Sequence, residues 1–178
     1  MKVALLPVDP IIGDFRGNLL LHQKKIEWAA QQGASLCLFP ELSLVGYHPR
    51  DLLYRRSWDE SAKKQLDELH EWLEKRFPQL AVIVGSTQPN PGSKDSSPRS
   101  HINAAIFLHG KQREVRAKTL IPYYDVFHES RYFSSAEHLT DRFRAPLRFE
   151  NQSIGIVICE DSWHASIRNG NSVHQLNP

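Results

Sequence analysis

The sequence predicts an α/β fold with a sheet that contains parallel strands, and three observations support this class. Short apolar runs that suit buried strands alternate along the chain with two segments of helical periodicity. The first of these units has the order strand–helix–strand, which favours parallel strands joined by a right-handed crossover. The chain of 178 residues is 40% hydrophobic and 24% charged, which is the composition of an ordinary globular domain.

The first strand–helix–strand unit begins at the N-terminus. The run KVALLPV, residues 2–8, predicts a strand that is buried on both faces. Residues 18–33 predict a helix, with Asn18 as its N-cap and Gly33 as its C-terminal stop. The apolar stripe of this helix comprises Leu19, Ile26 and Ala30. The run SLCLFPE, residues 35–41, predicts the second strand.

A second helix is predicted to start at Ser57 and to end before Pro78. Glu60 follows Ser57 at the three-residue spacing of a capping box. The apolar stripe of this helix comprises Leu66, Leu69 and Leu73. The run LAVIVGS, residues 80–86, predicts a third buried strand.

Two hairpins are predicted in the rest of the chain. Residues 86–100 are rich in Ser, Pro and Gly and predict an exposed loop. Residues 102–118 predict a hairpin that turns near Gly110, and residues 147–159 predict another that ends at its apolar strand IGIVIC.

The chain is predicted to hold one domain, residues 1–163, followed by a polar tail, residues 164–178. Apolar periodicity stops after Trp163. A strand as apolar as IGIVIC needs cover on both faces, and little sequence follows to provide it. The domain is therefore predicted to be incomplete at its C-terminus.

Charge and cysteine usage exclude several classes of protein. A formal net charge of +2 is too small to indicate a nucleic-acid partner, and two cysteines do not make a disulfide framework. No run approaches the roughly 20 apolar residues of a membrane span, and the N-terminus has no signal-peptide core. The nine histidines show no metal-ligand spacing, and no phosphate-binding glycine motif occurs. A cytoplasmic protein without a metal site or a membrane partner is therefore expected.

Three side chains that can do chemistry each follow a predicted strand: Glu41, Lys118 and Cys159. Because the carboxyl ends of strands form the ligand crevice of an open α/β sheet, these side chains are expected to converge. Together they suit attack on a carbonyl or nitrile, with a thiol nucleophile, a carboxylate base and an ammonium that stabilises the oxyanion. Taken singly, each has a plainer interpretation. A strand cysteine is more often an inert small hydrophobe, and a charged residue at a strand end is usually solvated.

The two acids that follow Cys159 make the thiolate harder to form. Side chains alternate along a strand, so Glu160 is predicted to point away from Cys159. Lys118 is expected to offset the negative charge that remains.

Three segments around these residues resemble the nitrilase, or carbon–nitrogen hydrolase, superfamily. The segments FPELSLVGY, KTLIPYYDVFHESRYF and VICEDSW resemble its glutamate, lysine and nucleophile segments, respectively. GYHPRDLLYR, residues 46–55, and CEDSW resemble the glutaminase domain of glutamine-dependent NAD⁺ synthetases. The resemblance implies the four-layer α-β-β-α sandwich of the nitrilase type and, by analogy, a homo-oligomer.

The resemblance also implies a role for each matching residue. Glu41 is the expected general base, Lys118 the stabiliser of the tetrahedral intermediate and Cys159 the nucleophile that forms a glutamyl thioester. Glu129 matches a second glutamate that lies beside the lysine and the base. Two tyrosines match the substrate pocket: Tyr124 and, more weakly, Tyr47. The alternative for Tyr124 is a core aromatic with a satisfied hydroxyl group.

The implied function is hydrolysis of the side-chain amide of L-glutamine to glutamate and ammonia, a step that needs no cofactor. The ammonia would pass to a synthetase domain, absent from these 178 residues, that amidates deamido-NAD⁺ with ATP and Mg. Two alternatives stay open: a stand-alone amidase for a small ω-amide or carbamoyl compound, and an inactive truncated module. A synthetase domain downstream in the parent gene would favour the glutaminase over a stand-alone amidase. Release of ammonia from glutamine by this chain, dependent on Cys159, would exclude the inactive module.

Overall fold

The computed structural model describes residues 1–92 and 99–162, which contain seven β-strands and two α-helices. The strands are β1 (Val3–Leu5), β2 (Leu36–Leu38), β3 (Ala81–Pro89), β4 (His101–His109), β5 (Gln112–Ala117), β6 (Leu147–Phe149) and β7 (Gln152–Ile154). The helices are α1 (Phe15–Gln31) and α2 (Trp58–Arg76). The predicted tail, residues 164–178, lies outside the described residues and stays a prediction.

Five strands form one mixed sheet in the order β1-β2-β3-β4-β5. β1, β2 and β3 are parallel, whereas β4 is antiparallel to both β3 and β5. β6 and β7 form a separate antiparallel pair. The α/β class, the parallel strand–helix–strand unit and the predicted hairpin that turns near Gly110 are therefore confirmed. The second predicted hairpin forms over residues 147–154, but the structure does not continue its apolar strand IGIVIC beyond Ile154.

The large sheet has a different cover on each face. Apolar residues of α1 and α2 pack with one face, where the buried cluster includes Ile26, Leu69 and Ile106. On the other face, Phe149 of β6 belongs to a second buried cluster with Phe107 of β4. The described residues thus supply three of the four predicted layers, in the order α-β-β. Neither α1, α2 nor any shorter helix in the described ranges is long and apolar enough to cross a membrane.

The start of α1 differs from the prediction. Asp14, not Asn18, is the N-cap, and its carboxylate accepts the backbone N–H of Gly17 at 2.8 Å. Asn18 is buried, and its amide donates to the carbonyl oxygens of Ile11 and Leu44. Either residue suits an N-cap, but only Asn18 carries an amide that can donate to these carbonyl oxygens, and the buried one of Leu44 needs a donor. Its side chain therefore ties α1 to the loop after β2.

Three other predicted boundaries agree with the structure to different degrees. Gly33 follows α1 with a φ of +72°, as the predicted C-terminal stop requires. Ser57 is the N-cap position of α2, but its side chain makes no capping hydrogen bond, so the capping box is not formed. β3 continues to Pro89 because its pairing with β4 continues to His101, which shortens the predicted loop.

β1 is not buried on both faces, which contradicts the prediction. Val3 is 42% exposed and Leu5 is 71% exposed. The apolar cluster on this face of the sheet includes residues of β2, β3 and β4 but none of β1. The described part of the second layer therefore leaves this edge of the sheet uncovered.

Buried polar side chains hold the loop between β2 and the 3-10 helix Arg50–Tyr54. The Gln65 amide donates to the carbonyl oxygen of Leu44 at 2.7 Å, and the His22 ring lies 3.0 Å from the Ser43 hydroxyl. Burial lowers the pKa of His22 to about 4, so the imidazole is neutral at pH 7. Both helices thereby fix the loop that carries Glu41.

Gly85 of β3 allows the same loop to lie directly against the sheet. A Cβ at this position would lie 2.6 Å from the oxygen of Pro40 and 2.7 Å from the carbonyl carbon of Glu41. The Leu44 N–H donates to the Gly85 oxygen at 2.9 Å, which keeps the two backbones together. The absence of a side chain at Gly85 is therefore a condition for the placement of Glu41.

We expect Gly85→Ala to lower the free energy of unfolding by about 1–3 kcal/mol, because the new methyl group forces the backbone of the loop away from β3. Urea unfolding of the complete gene product that carries this chain measures the change. Gly92→Ala is the matched control, since among the described residues its Cβ would meet only the Asn90 side chain, at an ordinary 3.5 Å. Equal midpoints for the two variants would contradict the close approach described above.

Candidate active site

A buried lysine lies at the centre of the candidate active site. Lys118 follows β5 directly, and its side chain is completely buried. Its Nζ donates to Glu41 Oε1 at 2.8 Å and to both carboxylate oxygens of Glu129 at 3.0 Å. A buried ammonium needs such partners, because an uncompensated charge in the interior costs several kcal/mol. Within residues 1–92 and 99–162, no group of three His, Cys, Asp or Glu side chains is placed to hold a metal.

The two carboxylates keep Lys118 charged. Burial lowers the pKa of Lys118, but the negative charges of Glu129 and Glu41 outweigh burial and raise it above its ordinary value. Burial also raises the pKa of the Glu129 carboxyl, against the opposing effect of the lysine. Lys118 is therefore an ammonium at neutral pH, with a fixed position and fixed partners.

Two neutral side chains position the carboxylates. Asn103 of β4 is buried, and its amide donates to Glu41 Oε1 at 2.6 Å. The Tyr47 hydroxyl donates to Glu129 Oε1 at 3.0 Å. Burial, and then the charge of Glu129, raise the pKa of Tyr47 far above its ordinary value. Tyr47 therefore contacts the lysine cluster, and its predicted contact with substrate stays a prediction.

Cys159 lies on a tight turn and not at the end of a strand, so this part of the prediction is wrong. β7 ends at Ile154, and Cys159 has a φ of +47°, which a residue other than glycine rarely adopts. The chain turns here because the Asp161 N–H donates to the Ile158 oxygen at 3.1 Å. Cys159 is exposed, whereas Glu160 is buried. The turn, rather than strand alternation, gives these two neighbours different surroundings.

Cys159 and Glu41 line the same cavity of about 340 Å³, whose other walls are mainly apolar side chains of β1–β4 and residues 154–158. Partial burial, and then the charge of Glu41, raise the pKa of the Cys159 thiol, while Lys118 lowers it. The net shift is upward, so the thiol is neutral at pH 7 and needs a base before it can attack. The other cysteine, Cys37, is buried, and burial raises its pKa to about 11.

Tyr124 lies close to the nucleophile turn. Its side chain is half-buried, and its hydroxyl donates to Glu160 Oε2 at 2.8 Å. Burial and this hydrogen bond raise the pKa of Tyr124 to about 12. The hydroxyl is thus satisfied within the protein, as the plainer interpretation expects, while the ring stays partly accessible. Its contact with substrate stays a prediction.

Sequence reasoning missed Asn103 and the structural part played by Asp161. Asn103 is a polar residue inside the apolar run INAAIFL, and a buried amide in such a run indicates a specific hydrogen-bond partner. Asp161 lies two residues after the cysteine, and the sequence alone indicates only that it contributes negative charge. No feature of the sequence identifies the backbone N–H groups that it binds.

Comparison with known proteins defines the class of this chain. The sequence profile described as carbon-nitrogen hydrolase matches residues 2–172. The chain therefore belongs to the carbon–nitrogen hydrolase family of enzymes.

Among curated proteins, the chain is similar to glutamine-dependent NAD⁺ synthetases. The chain is 37% identical over 182 residues to the glutamine-dependent NAD⁺ synthetase of Synechocystis sp. and 33% identical over 181 residues to that of Thermotoga maritima. Each alignment covers 99% of this chain but only 30% and 29% of the respective relative. The chain thus spans less than a third of the length of these relatives.

Solved structures agree with the fold. The glutamine-dependent NAD⁺ synthetase of Acinetobacter baumannii, in complex with ADP, superposes with a TM-score of 0.76 and 27% identity. That match covers 98% of this chain and 30% of the other chain. A variant of the Nesterenkonia AN1 amidase, of the nitrilase superfamily, has a TM-score of 0.68 at 23% identity and covers 88% of this chain and 55% of its own. The nitrilase-type fold is therefore confirmed.

We expect Glu129→Gln to lower the free energy of unfolding by about 3 kcal/mol, because it removes a charge partner from an ammonium with no exposed surface. Glu71→Gln is the matched control, since it breaks an ion pair with Lys75 in which both side chains are at least 70% exposed. The control should change stability by about 0.5 kcal/mol or less. Urea unfolding of both variants checks the difference, and equal losses would contradict the role given to the buried pair.

Proposed function

We propose that this chain carries the glutaminase site of a glutamine-dependent NAD⁺ synthetase and hydrolyses the side-chain amide of L-glutamine. The observation that carries the proposal is the cluster of Lys118, Glu41 and Glu129, together with Cys159 on the cavity that Glu41 also lines. Family membership supports the hydrolase chemistry. The two curated relatives that share this name align along almost the whole chain, which supports the choice of substrate.

In the first step, Cys159 Sγ attacks the amide carbon of glutamine and its proton passes to Glu41. The base is needed because the pKa of the resting thiol is raised. A new C–S bond forms, and negative charge moves onto the amide oxygen. The Lys118 ammonium stabilises this oxyanion, and its two carboxylate partners hold it in place before the reaction begins.

In the second step, the C–N bond breaks and Glu41 returns its proton to the leaving nitrogen, which departs as ammonia. The product on the enzyme is a glutamyl thioester of Cys159. Water then attacks the thioester carbon while Glu41 takes a proton from the water. Collapse of this second intermediate breaks the C–S bond and releases glutamate, and Glu41 returns its proton to Cys159 Sγ, which restores the thiol and the base.

Glu129 and Asn103 support these steps without touching the reacting atoms. Glu129 compensates the charge of Lys118 and holds its Nζ. Asn103 and Lys118 both donate to Oε1 of Glu41, so Oε2 is the oxygen that takes the thiol proton in this mechanism. Tyr124, next to Glu160 and the nucleophile turn, is the leading candidate for a contact with the amino-acid part of glutamine.

The ammonia would be used by a synthetase domain that amidates deamido-NAD⁺ with ATP and Mg, whereas the glutaminase step itself needs no cofactor. The relatives named for this reaction are more than three times as long as their aligned part, which leaves room for such a domain. The expected homo-oligomer and cytoplasmic location stay predictions.

The proposal predicts a covalent intermediate on one cysteine. When the complete gene product is mixed with glutamine and quenched in acid within one turnover, mass spectrometry should show an adduct of glutamyl mass on the peptide that contains Cys159. Cys159→Ala should abolish the adduct and the release of ammonia. Cys37→Ala is the matched control and should keep both, because Cys37 is buried in the core.

An adduct that persists in Cys159→Ala would contradict the nucleophile assignment. An adduct that forms with another small ω-amide or carbamoyl compound, but not with glutamine, would contradict the proposed substrate and favour a stand-alone amidase.

A further inference from the structure

One carboxylate links the two segments that carry the nucleophile and the lysine. Asp161 Oδ1 accepts the backbone N–H groups of Thr119 at 3.0 Å and Leu120 at 2.7 Å. Its Oδ2 accepts the backbone N–H of Ile158 at 3.1 Å. Each oxygen therefore binds a different segment of the chain, and the side chain joins them.

The three N–H groups that Asp161 accepts lie next to the two side chains that are assigned to the chemistry. Thr119 and Leu120 directly follow Lys118 in the sequence, and Ile158 directly precedes Cys159. Hydrogen bonds from N–H groups to a carboxylate are among the stronger ones in proteins. A shift of either segment relative to the other would therefore break at least one strong bond to Asp161.

The nucleophile turn needs such support because it is strained and pairs with no strand among the residues that the structure describes. Cys159 has a φ of +47°, and a non-glycine residue holds such a conformation only when its surroundings fix it. β7 ends at Ile154, so the residues that lead into the turn are not part of a described strand. Asp161 stabilises the turn through Ile158 and anchors it to the lysine segment at the same time.

We propose that Asp161 is a positioning residue of the hydrolase reaction, which sets the position of Cys159 Sγ relative to the Lys118 ammonium. The inference rests on the proposed function, because that function gives the thiol and the ammonium their roles. Coulomb attraction falls with separation, so the help that the ammonium gives to a thiolate or an oxyanion depends on this position.

The chemistry requires a carboxylate at this position. Three N–H donors converge on the side chain, and an ionised carboxylate offers an acceptor oxygen to each segment. In Asp161→Asn, the amide keeps one acceptor oxygen and turns its NH₂ group toward a backbone N–H. One of the two segments then loses its partner while the size of the side chain is almost unchanged.

We expect Asp161→Asn in the complete gene product to lower kcat for ammonia release from glutamine by about 10- to 100-fold, since small misplacements of reacting groups have effects of this order. KM should change by less than about threefold, because the substitution does not remove a substrate contact. Asp141→Asn is the matched control, since the Asp141 side chain is 97% exposed on a separate 3-10 helix. The control should leave both constants unchanged.

Alkylation of Cys159 by iodoacetamide, followed as a function of pH, separates positioning from general damage to the fold. Removal of the ammonium in Lys118→Met should move the alkylation midpoint to higher pH, because Lys118 lowers the thiol pKa. Asp161→Asn removes a negative charge close to the thiol, which by itself moves the midpoint down, so the upward shift expected in this variant reports weaker contact between the thiol and the ammonium. The upward shift should disappear in the Lys118→Met background, because it acts through the same ammonium. Asp161→Ser, whose hydroxyl group keeps one acceptor oxygen, is measured as a second variant in the same assay. Circular dichroism checks that each variant is folded.

Additive shifts of the alkylation midpoint, or a wild-type kcat per folded Asp161→Asn molecule, would overturn the inference and leave Asp161 a purely structural residue. A wild-type protein that releases no ammonia from glutamine would overturn the proposed function instead. The alkylation cycle needs no glutamine, so it would still decide the role of Asp161.

Discussion

The compensation of one buried charge determines how this site is built. The Lys118 ammonium has no exposed surface, and its partners come from two other segments: Glu41 from the loop after β2 and Glu129 from the 3-10 helix Glu129–Arg131. Separating either carboxylate from the ammonium would leave a buried charge undercompensated, which costs several kcal/mol. The three segments are therefore held together by electrostatics. The positions of the two carboxylates also depend on Gly85, Asn103 and Tyr47.

The same charges account for the chemistry of the thiol. Burial and Glu41 keep Cys159 protonated at rest, while Lys118 favours the thiolate. A nucleophile in these surroundings becomes reactive only when a base takes its proton and the ammonium stabilises the charge that develops on the substrate. The charge of Glu160 also raises the thiol pKa, although less than burial and Glu41 do. Glu160 is buried beside Tyr124, and Asp161 is engaged by backbone N–H groups of two segments.

Periodicity predicted the elements of the sheet and the helices because these depend on local patterns. The approach of Glu41 and Lys118 followed from their positions after strands, since parallel topology brings such positions to one edge. The sequence-based predictions are wrong where two local conformations are both favourable and a contact with a distant residue decides between them. Asp14 and Asn18 are both good N-caps, and the buried carbonyl of Leu44 made the difference. The run IGIVIC resembles a strand, but two hydrogen bonds between Ile158 and Asp161 turn the chain at Cys159.

The most direct test of the central claim is the protonation state of Lys118 itself. In the complete gene product labelled with ¹³C at lysine Cε, an NMR titration assigns the Lys118 resonance by comparison with Lys118→Arg. Lys118 should keep its proton at about pH 10.4, where surface lysines are half deprotonated, because two carboxylates raise its pKa. Loss of the Lys118 proton below the surface lysines would show that burial outweighs the carboxylates, and it would contradict the claim that this ammonium organises the site.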